Sequence, residues 1–479
     1  MIVICLAVLL GGGLRATRAD AYLPWTHHYD EMANIPVAEE MVQERTTLPN
    51  WHPYPTLMYA AQATVLVPAA LVGAYEPGDP ADTVLIVETT GNGRTDHPTL
   101  LAALRWSTSV IPGMVMVAVT GATVWIVTRR WWAAGFAALM AALAAVDVAF
   151  GTFVTPDALA GSATAIALLA AVLLARRPTW TRYVFAGAAV GLATSAKYNA
   201  LVVAVAMLAA HWVAHGRPWA APHRLLGAVA AAVGVFTLLN HVLVADPTAL
   251  WRDVTAVNAT YRSGIPGHEG SALTFNAQTL WWSFGATALV AVAAFVPRRD
   301  RDGGRAAWII GSFVVAYYLV FSSYAVRVER NLLSLTSALA VLAAFGLVVI
   351  VDRLGAAAPG RRAAAVTGVV AVALIVPLWS TGGVLHDIRH DPWSEARSWL
   401  AAHAPAGSTI AVEPRGPYVD DDRYTVVPAW RGEDSESAGA DFYVASRFAF
   451  EPDPSGCKLF EVDAPWEGEA KRIVITKPC

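Results

Sequence analysis

The sequence predicts an all-α polytopic membrane protein of about eleven transmembrane helices, with a small α/β domain at its C-terminal end. Three observations carry that expectation. Of the 479 residues, 56% are hydrophobic and the mean hydropathy is +0.46, so apolar surface has to be buried in lipid rather than in several soluble cores. Charged residues make up only 15% of the chain, against roughly a quarter in soluble domains. Beyond about residue 385 the composition turns soluble. The net charge of −3, with no basic tract, argues against nucleic acid as a partner.

The chain opens on an apolar run, 1–14, that is short for a crossing. Ala19-Asp20-Ala21 is like a signal-peptidase site, but no cation precedes the run, and Arg15 and Arg18 stand where a small neutral stretch belongs. A start lacking some upstream residues accounts for the shortness equally well. A long first loop, 15–106, follows. Within it 54–75 is apolar, but Pro55, Gln62 and Pro68 make it a poor span, because proline and amide groups are costly in lipid. It reads as a helix lying at the outer interface.

Runs on the scale of ~20 apolar residues then occur at about 107–128, 131–150, 157–175, 225–245, 278–297, 306–325, 331–351 and 363–383. The stretch 183–215 is long enough for a hairpin of two, broken near Lys197. Arginines sort the connections. Arg129 and Arg130, Arg176, Arg177 and Arg182, Arg217 and Arg224, Arg298 to Arg305, and Arg353, Arg361 and Arg362 all fall in alternate loops. Those loops are cytoplasmic by the positive-inside bias. The opposite set carries only Lys197, Arg252, Arg262, Arg327 and Arg330 between spans, and the tail emerges on that same outer side. Of the three cysteines, Cys5 lies in the first run and Cys457 and Cys479 in the tail. The tail pair is able to form a disulfide in an oxidising compartment, though spacing alone does not pair them.

The outer face collects ionisable groups. Asp30 and Glu31 form an acidic doublet in the first loop, Arg105 stands at the mouth of the 107–128 helix, and Asp157 opens the 157–175 helix. Lys197 lies in the break of 183–215 and Arg330 opens 331–351. Charges at span ends are expensive to desolvate and point to function. The plain alternatives are snorkelling to the interface and, for Asp157, helix capping, since Thr155-Pro156-Asp157 is ordinary capping chemistry. Asp147, inside a helix, reads as a satisfied polar residue. Together the charges are complementary to one chemistry. Three cations at headgroup depth suit a lipid phosphate, and a carboxylate nearby suits the base that a hydroxyl nucleophile needs.

The runs His28-Tyr29-Asp30-Glu31, Ala38-Glu39-Glu40-Met41 and Pro49-Asn50-Trp51-His52-Pro53-Tyr54-Pro55 resemble the first outer loop of GT-C type glycosyltransferases that use lipid-phosphate sugars, similar to glycosyltransferase family 39. That group includes protein O-mannosyltransferases and aminoarabinose transferases. Arg105-Trp106-Ser107, the stretch from Gly151 to Asp157, Gly191 to Tyr198, and Glu329-Arg330-Asn331-Leu332-Leu333 are similar to its later motifs, in the same order. The likeness spans about 20–350. It departs where Tyr54 separates Pro53 from Pro55, and where the second acidic loop offers one carboxylate rather than a pair, which tells against a tightly held divalent metal.

The resemblance implies that Asp30 is the catalytic base and that Glu31 orients acceptor or sugar. It implies that Arg105 and Lys197 hold the donor phosphate, that Arg330 lines the same cavity, and that Asp157 and Tyr198 support the substrate site. The loop Tyr261 to Gly270 contains His268 and Glu269 among glycines and reads as a cover over that cavity or as a solvated loop, with His268 as a substrate contact. In the tail, Pro392-Trp393 starts a helix to about His403, and Thr409–Glu413 and Phe442–Ala445 read as strands. Asp420-Asp421-Asp422 reads as a solvated acidic turn rather than a calcium loop. The domains expected are therefore 1–384, catalytic and transmembrane, and 385–479, extracytoplasmic.

The expected activity is inverting transfer of a sugar from a polyprenyl-phosphate donor to a hydroxyl of a protein, glycan or lipid, on the outer face of the cytoplasmic membrane. A transporter or flippase for a lipid-linked saccharide would use the same intramembrane charges, and inverted repeats would favour it; none is visible. A scaffold that displays the tail would leave Asp30 dispensable. Donor sugar, acceptor, metal requirement and oligomeric state are not written in the sequence.

Overall fold

A computed structural model describes residues 2–26, 28–79, 82–87, 93–264, 270–297, 301–357, 362–413, 416–429, 438–447, 454–463 and 472–479. Among these residues eight helices are long and apolar enough to cross a membrane. A bent pair, Ala272–Phe284 with Ala286–Phe295, brings the number to nine. The bend is 100°, at Gly285, whose φ of +50° suits glycine and where a Cβ would collide with Val376. The two remaining stretches expected to cross hold Trp131–Ala142, continued by Ala145–Phe150, and Trp180–Ala196. The chain is thus a multi-pass membrane protein. The apolar segment of the first loop forms the helix Leu57–Leu71, fifteen residues with Pro68 inside.

The first helix corrects the sequence reading. It runs Ile2–Ala19, eighteen residues, past the point where Arg15 was expected to end it. Arg15 is buried instead, donating to the carbonyls of Gly11 (3.0 Å), Ala141 (3.3 Å) and Ala142 (3.5 Å). The last two carbonyls belong to the end of Trp131–Ala142, where orphan C=O groups and the negative end of the helix dipole welcome a cation.

The chain divides into two compact units. The first contains Met1–Thr17, Thr47–Ala61 and Arg105–Thr381; the second contains Arg18–Thr46, Gln62–Leu104 and Gly382–Cys479. The long first loop therefore contributes to both.

In the first unit, small residues set the packing. The core is rich in alanine, from Ala133, Ala137 and Ala141 to Ala338, Ala340 and Ala344, so backbones approach closely where lipid offers no hydrophobic drive between helices. Trp180–Ala196 packs on Pro222–Leu239 through Gly187 and Gly191, where a Cβ would strike the backbones of Ala228 and Ala232.

The second unit has two sheets. A small one pairs Trp25–Thr26 and Ile86–Val87 on either side of Gly93–Arg94, all antiparallel. The C-terminal sheet runs in the order Thr425–Pro428, Thr409–Val412, Phe442–Arg447, Arg472–Lys477, Cys457–Asp463. The first three strands are parallel and the remaining pairings antiparallel. Side chains alternate between faces with the period of two that strands impose. Ile410, Val412, Val444, Ile473 and Ile475 pack with Trp393, Ala396 and Leu400 of helix Pro392–His403, while Ala411, Tyr443, Ala445 and Val474 pack on the other face. That helix starts as its sequence dictates, with Asp391 accepting from the Trp393 N–H and Pro392 in the first turn. A disulfide joins Cys457 to Cys479. The strands Thr425–Pro428, Cys457–Asp463 and Arg472–Lys477 were not expected from the sequence.

Candidate active site

In the first unit the site is built on a helix end. Trp180–Ala196 stops at Lys197, whose backbone is extended (φ −154°, ψ 128°), and a short 3₁₀ stretch, Tyr198–Val203, follows. The break aims Lys197 into the protein, where it is 6% exposed. Its Nζ donates to Asp157 Oδ1 at 2.6 Å and to Asn331 Oδ1 at 3.1 Å. Tyr261 Oη donates to the same Asn331 oxygen at 3.2 Å, and Tyr317 Oη to the Asn331 carbonyl at 2.8 Å. Arg330, one residue before Asn331, is near enough for its charge to act on Lys197. Asp157 does not cap its helix as the Thr-Pro-Asp pattern suggested. Pro156 occupies the cap position with no side-chain cap bond, and the Asp157 carboxylate turns to Lys197. An ammonium outbids backbone N–H groups for a buried carboxylate, because an uncompensated charge there is the larger penalty.

Arg105 is fully buried, its guanidinium 5.7 Å from the centroid of the Phe153 ring. A π-helical turn, Trp106–Val110, follows it, and the Ser109 hydroxyl donates to the Phe153 carbonyl; such turns recur at functional sites. Arg105 is thereby tied to the loop that leads into Asp157. Three buried polar atoms of that loop and its helix start, Thr152 Oγ1, Thr155 Oγ1 and Asp157 Oδ2, have no hydrogen-bond partner among the described residues. Buried polar groups left so are costly, and a polar ligand would satisfy them.

Beside this cluster lies a cavity of about 310 Å³, walled by Tyr54, Lys197, Tyr198, Trp251, Tyr261 and Tyr324 among others. One wall is the helix Pro247–Ser263, started by Asp246 accepting from the Ala249 N–H at 2.9 Å. Asp253 fastens it to the first-loop segment: its Oδ2 accepts from the His52 N–H and faces His52 Nδ1, both at 3.0 Å, and its Oδ1 accepts from Arg252 Nε at 2.8 Å. Burial pushes the Asp253 carboxyl up, but those hydrogen bonds outweigh it and hold the group below the usual carboxylate range. Tyr198 Oη reaches the His52 carbonyl at 3.3 Å. Aromatic walls with a single buried ammonium suit a ligand that is part apolar and part anionic.

Asp30 and Glu31 belong to the second unit, where both are buried in the first turn of Tyr29–Gln43. His28 caps that helix through Nδ1, which accepts from the Asp30 N–H at 3.2 Å. Glu31 Oε2 accepts from the Thr26 hydroxyl at 2.5 Å. A helix N-terminus favours carboxylates at these positions.

Of the residues named from the sequence, Asp157 and Lys197 are in contact, Lys197 and Tyr198 share one cavity, and Arg330 and Arg105 adjoin the same cluster through Asn331 and Phe153. His268 and Glu269 lie outside the described residues. Sequence reasoning missed Asn331, Tyr261 and the His52–Asp253 tie. Asn331 adjoins Arg330, and an amide at the mouth of an apolar helix is a signal in its own right. Among the described residues no three His, Cys, Asp or Glu side chains converge to hold a metal ion.

Residues 99–241 match the family described as dolichyl-phosphate-mannose-protein mannosyltransferase. The crystal structure of ArnT from Cupriavidus metallidurans bound to undecaprenyl phosphate is similar over 99% of this chain and 97% of that one, with a TM-score of 0.56 and 15% identity. The apo state of the same protein gives 0.52 and 15%, over 86% of this chain and 81% of that one. At that identity the likeness is one of fold. No curated protein sequence matches the chain.

Proposed function

We propose that this chain, which matches the mannosyltransferase family over residues 99–241 and shares its fold with ArnT, is an inverting membrane glycosyltransferase of the GT-C, family 39-like kind. It moves one sugar from a polyprenyl-phosphate donor to an acceptor hydroxyl on the outer face of the cytoplasmic membrane. The observation that carries this reading is the buried Lys197, paired to Asp157 and Asn331 on the wall of an aromatic cavity. An ammonium has three N–H donors, so two protein bonds leave one for a phosphate oxygen. The similar structure holds undecaprenyl phosphate, which supports an isoprenoid phosphate as the anion.

In the reaction the acceptor hydroxyl oxygen attacks the anomeric carbon from the face opposite the phosphate. The new C–O bond forms as the bond to the phosphate oxygen breaks, the electron pair departs on the lipid phosphate, and the hydroxyl proton passes to the Asp30 carboxylate. Phosphate leaves without needing a proton, so one carboxylate base suffices, unlike hydrolysis by a carboxylate pair. Arg105, Lys197 and Arg330 neutralise the charge that grows on the leaving group. Asp157 keeps Lys197 charged and aimed, Glu31 orients acceptor or sugar, and Tyr198 lines the substrate site.

The test incubates membranes carrying the full chain with labelled polyprenyl-phosphate sugars and compares wild type with Asp30→Asn. Removing a general base lowers turnover by about 10²- to 10⁴-fold. Equal transfer by both would remove Asp30 from the chemistry, and vectorial movement of the intact lipid without transfer would favour a flippase.

A further inference from the structure

The second unit has a pocket of its own, about 260 Å³, that the transfer chemistry does not use. Trp25, Arg397, Tyr418, Asp420, Arg423 and Tyr424 line it. They come from the first loop, from helix Pro392–His403, and from the segment before strand Thr425–Pro428. Trp25 and Tyr418 stack with ring centroids 4.0 Å apart at 19°. The Arg397 guanidinium stands 5.2 Å from the Trp25 ring centroid, and that of Arg423 stands 5.2 Å from the Tyr424 ring centroid. Arg397 donates Nη2 to Ser394 Oγ at 2.6 Å, and Arg423 donates Nη2 to the Ala401 carbonyl at 2.8 Å. These bonds fix each planar fork and leave donors to spare, since a guanidinium has five.

The wall therefore alternates donor-only guanidinium with the acceptor-only carboxylate of Asp420, among aromatic rings. Charge narrows the ligand. Two arginines oppose a cation, and the run Asp420-Asp421-Asp422 opposes a polyanion. Vicinal hydroxyls both donate and accept, carry no charge, and match such a wall; the C–H groups of a sugar ring suit its aromatic edges. We propose that this pocket binds a saccharide unit of the acceptor.

Its place in the second unit gives the proposal its link to the reaction. Trp25 is continuous with Thr26, whose hydroxyl holds Glu31 in the turn that carries Asp30. A saccharide seated against Trp25 is thus held by the same short segment that positions the proposed base. That the saccharide is the acceptor rests on the transferase reading above; that the pocket takes a saccharide does not.

The experiment therefore has two arms. Full-length protein in a detergent without a sugar headgroup is examined by saturation-transfer NMR with the methyl glycosides of mannose, galactose, glucose and arabinose. At least one should receive saturation from the wild type and lose it with Arg423→Ala and with Tyr418→Ala, both checked for an unchanged melting temperature. In the second arm, the same glycoside is the acceptor in the transfer assay. Arg423→Ala should raise its KM by about ten-fold or more, as losing a charge-assisted hydrogen bond does, while the KM for donor stays put. Saturation of no glycoside, or saturation that survives both substitutions, overturns the pocket. Transfer to a serine- or threonine-bearing peptide, with no glycoside bound, overturns it too. A glycoside bound at this pocket by a wild type that transfers from no donor upholds the saccharide site and removes the transferase reading instead.

Discussion

Breaking the Lys197–Asp157 pair separates stability from chemistry. At the observed 2.6 Å, two unit charges in an effective dielectric of ~20 attract by about 6 kcal/mol. Taking each ion out of water costs several kcal/mol, so the pair nearly breaks even against apolar residues of similar volume. Removing one partner is different. Lys197→Met strands a buried carboxylate, and Asp157→Leu strands a buried ammonium, each at a cost of about 3–5 kcal/mol. The double variant removes both charges and should return to within about 1 kcal/mol of wild type. On the proposed roles, transfer should stay lost in all three, because the phosphate meets either no ammonium or one that Asp157 no longer aims. The assay is thermal unfolding of the detergent-purified chain, followed by tryptophan fluorescence, alongside sugar transfer on the same preparations. A double variant that melts as low as the singles would refute the charge-burial argument. One that transfers sugar at the wild-type rate would refute the role of Lys197.

Two further outcomes concern the second unit. Burial raises the Glu39 carboxyl to about 7, against the Val84 N–H and His97, which pull it down. The folded protein therefore holds a proton there that the unfolded chain releases above its ordinary 4.5, so the unit should lose stability as pH rises between those values and level off beyond them. Glu39→Gln should flatten that slope in melting curves; an unchanged slope would assign the dependence elsewhere. The Cys457–Cys479 bond closes a separation of 22 residues, worth about 3 kcal/mol by loop entropy. Cys479→Ser should lower the protection of the Cys457–Asp463 and Arg472–Lys477 strands in hydrogen exchange, and identical protection would show that the sheet stands without it.

What the sequence made legible was whatever its local signals could carry. A lysine inside an apolar stretch announces itself, and the helix does break at Lys197. The partner of that lysine was hidden in plain sight: Thr-Pro-Asp satisfies the capping rule locally, and only a residue 40 positions away reveals where the Asp157 carboxylate goes. Arg15 misled for the same reason. It looks like the end of a span because two of the three carbonyls that satisfy it are more than a hundred positions distant. In the tail the strands Thr409–Val412 and Phe442–Arg447 were readable from their runs of apolar residues. Arg472–Lys477 has the same alternation, with Ile473 and Ile475 on one face and Val474 on the other, yet a short run near a terminus gains meaning only from its neighbours. The stacking of Trp25 on Tyr418 joins opposite ends of the chain and has no local signature at all.

The glycine seam between Trp180–Ala196 and Pro222–Leu239 makes the site a matter of angular phase. Each helical residue advances the side-chain direction by about 100°. One residue inserted between Gly191 and Lys197 would leave the seam intact yet swing the ammonium to another side of the bundle, and a second would carry it almost opposite. The spacing of six residues from Gly191 to Lys197 therefore sets which way the ammonium faces.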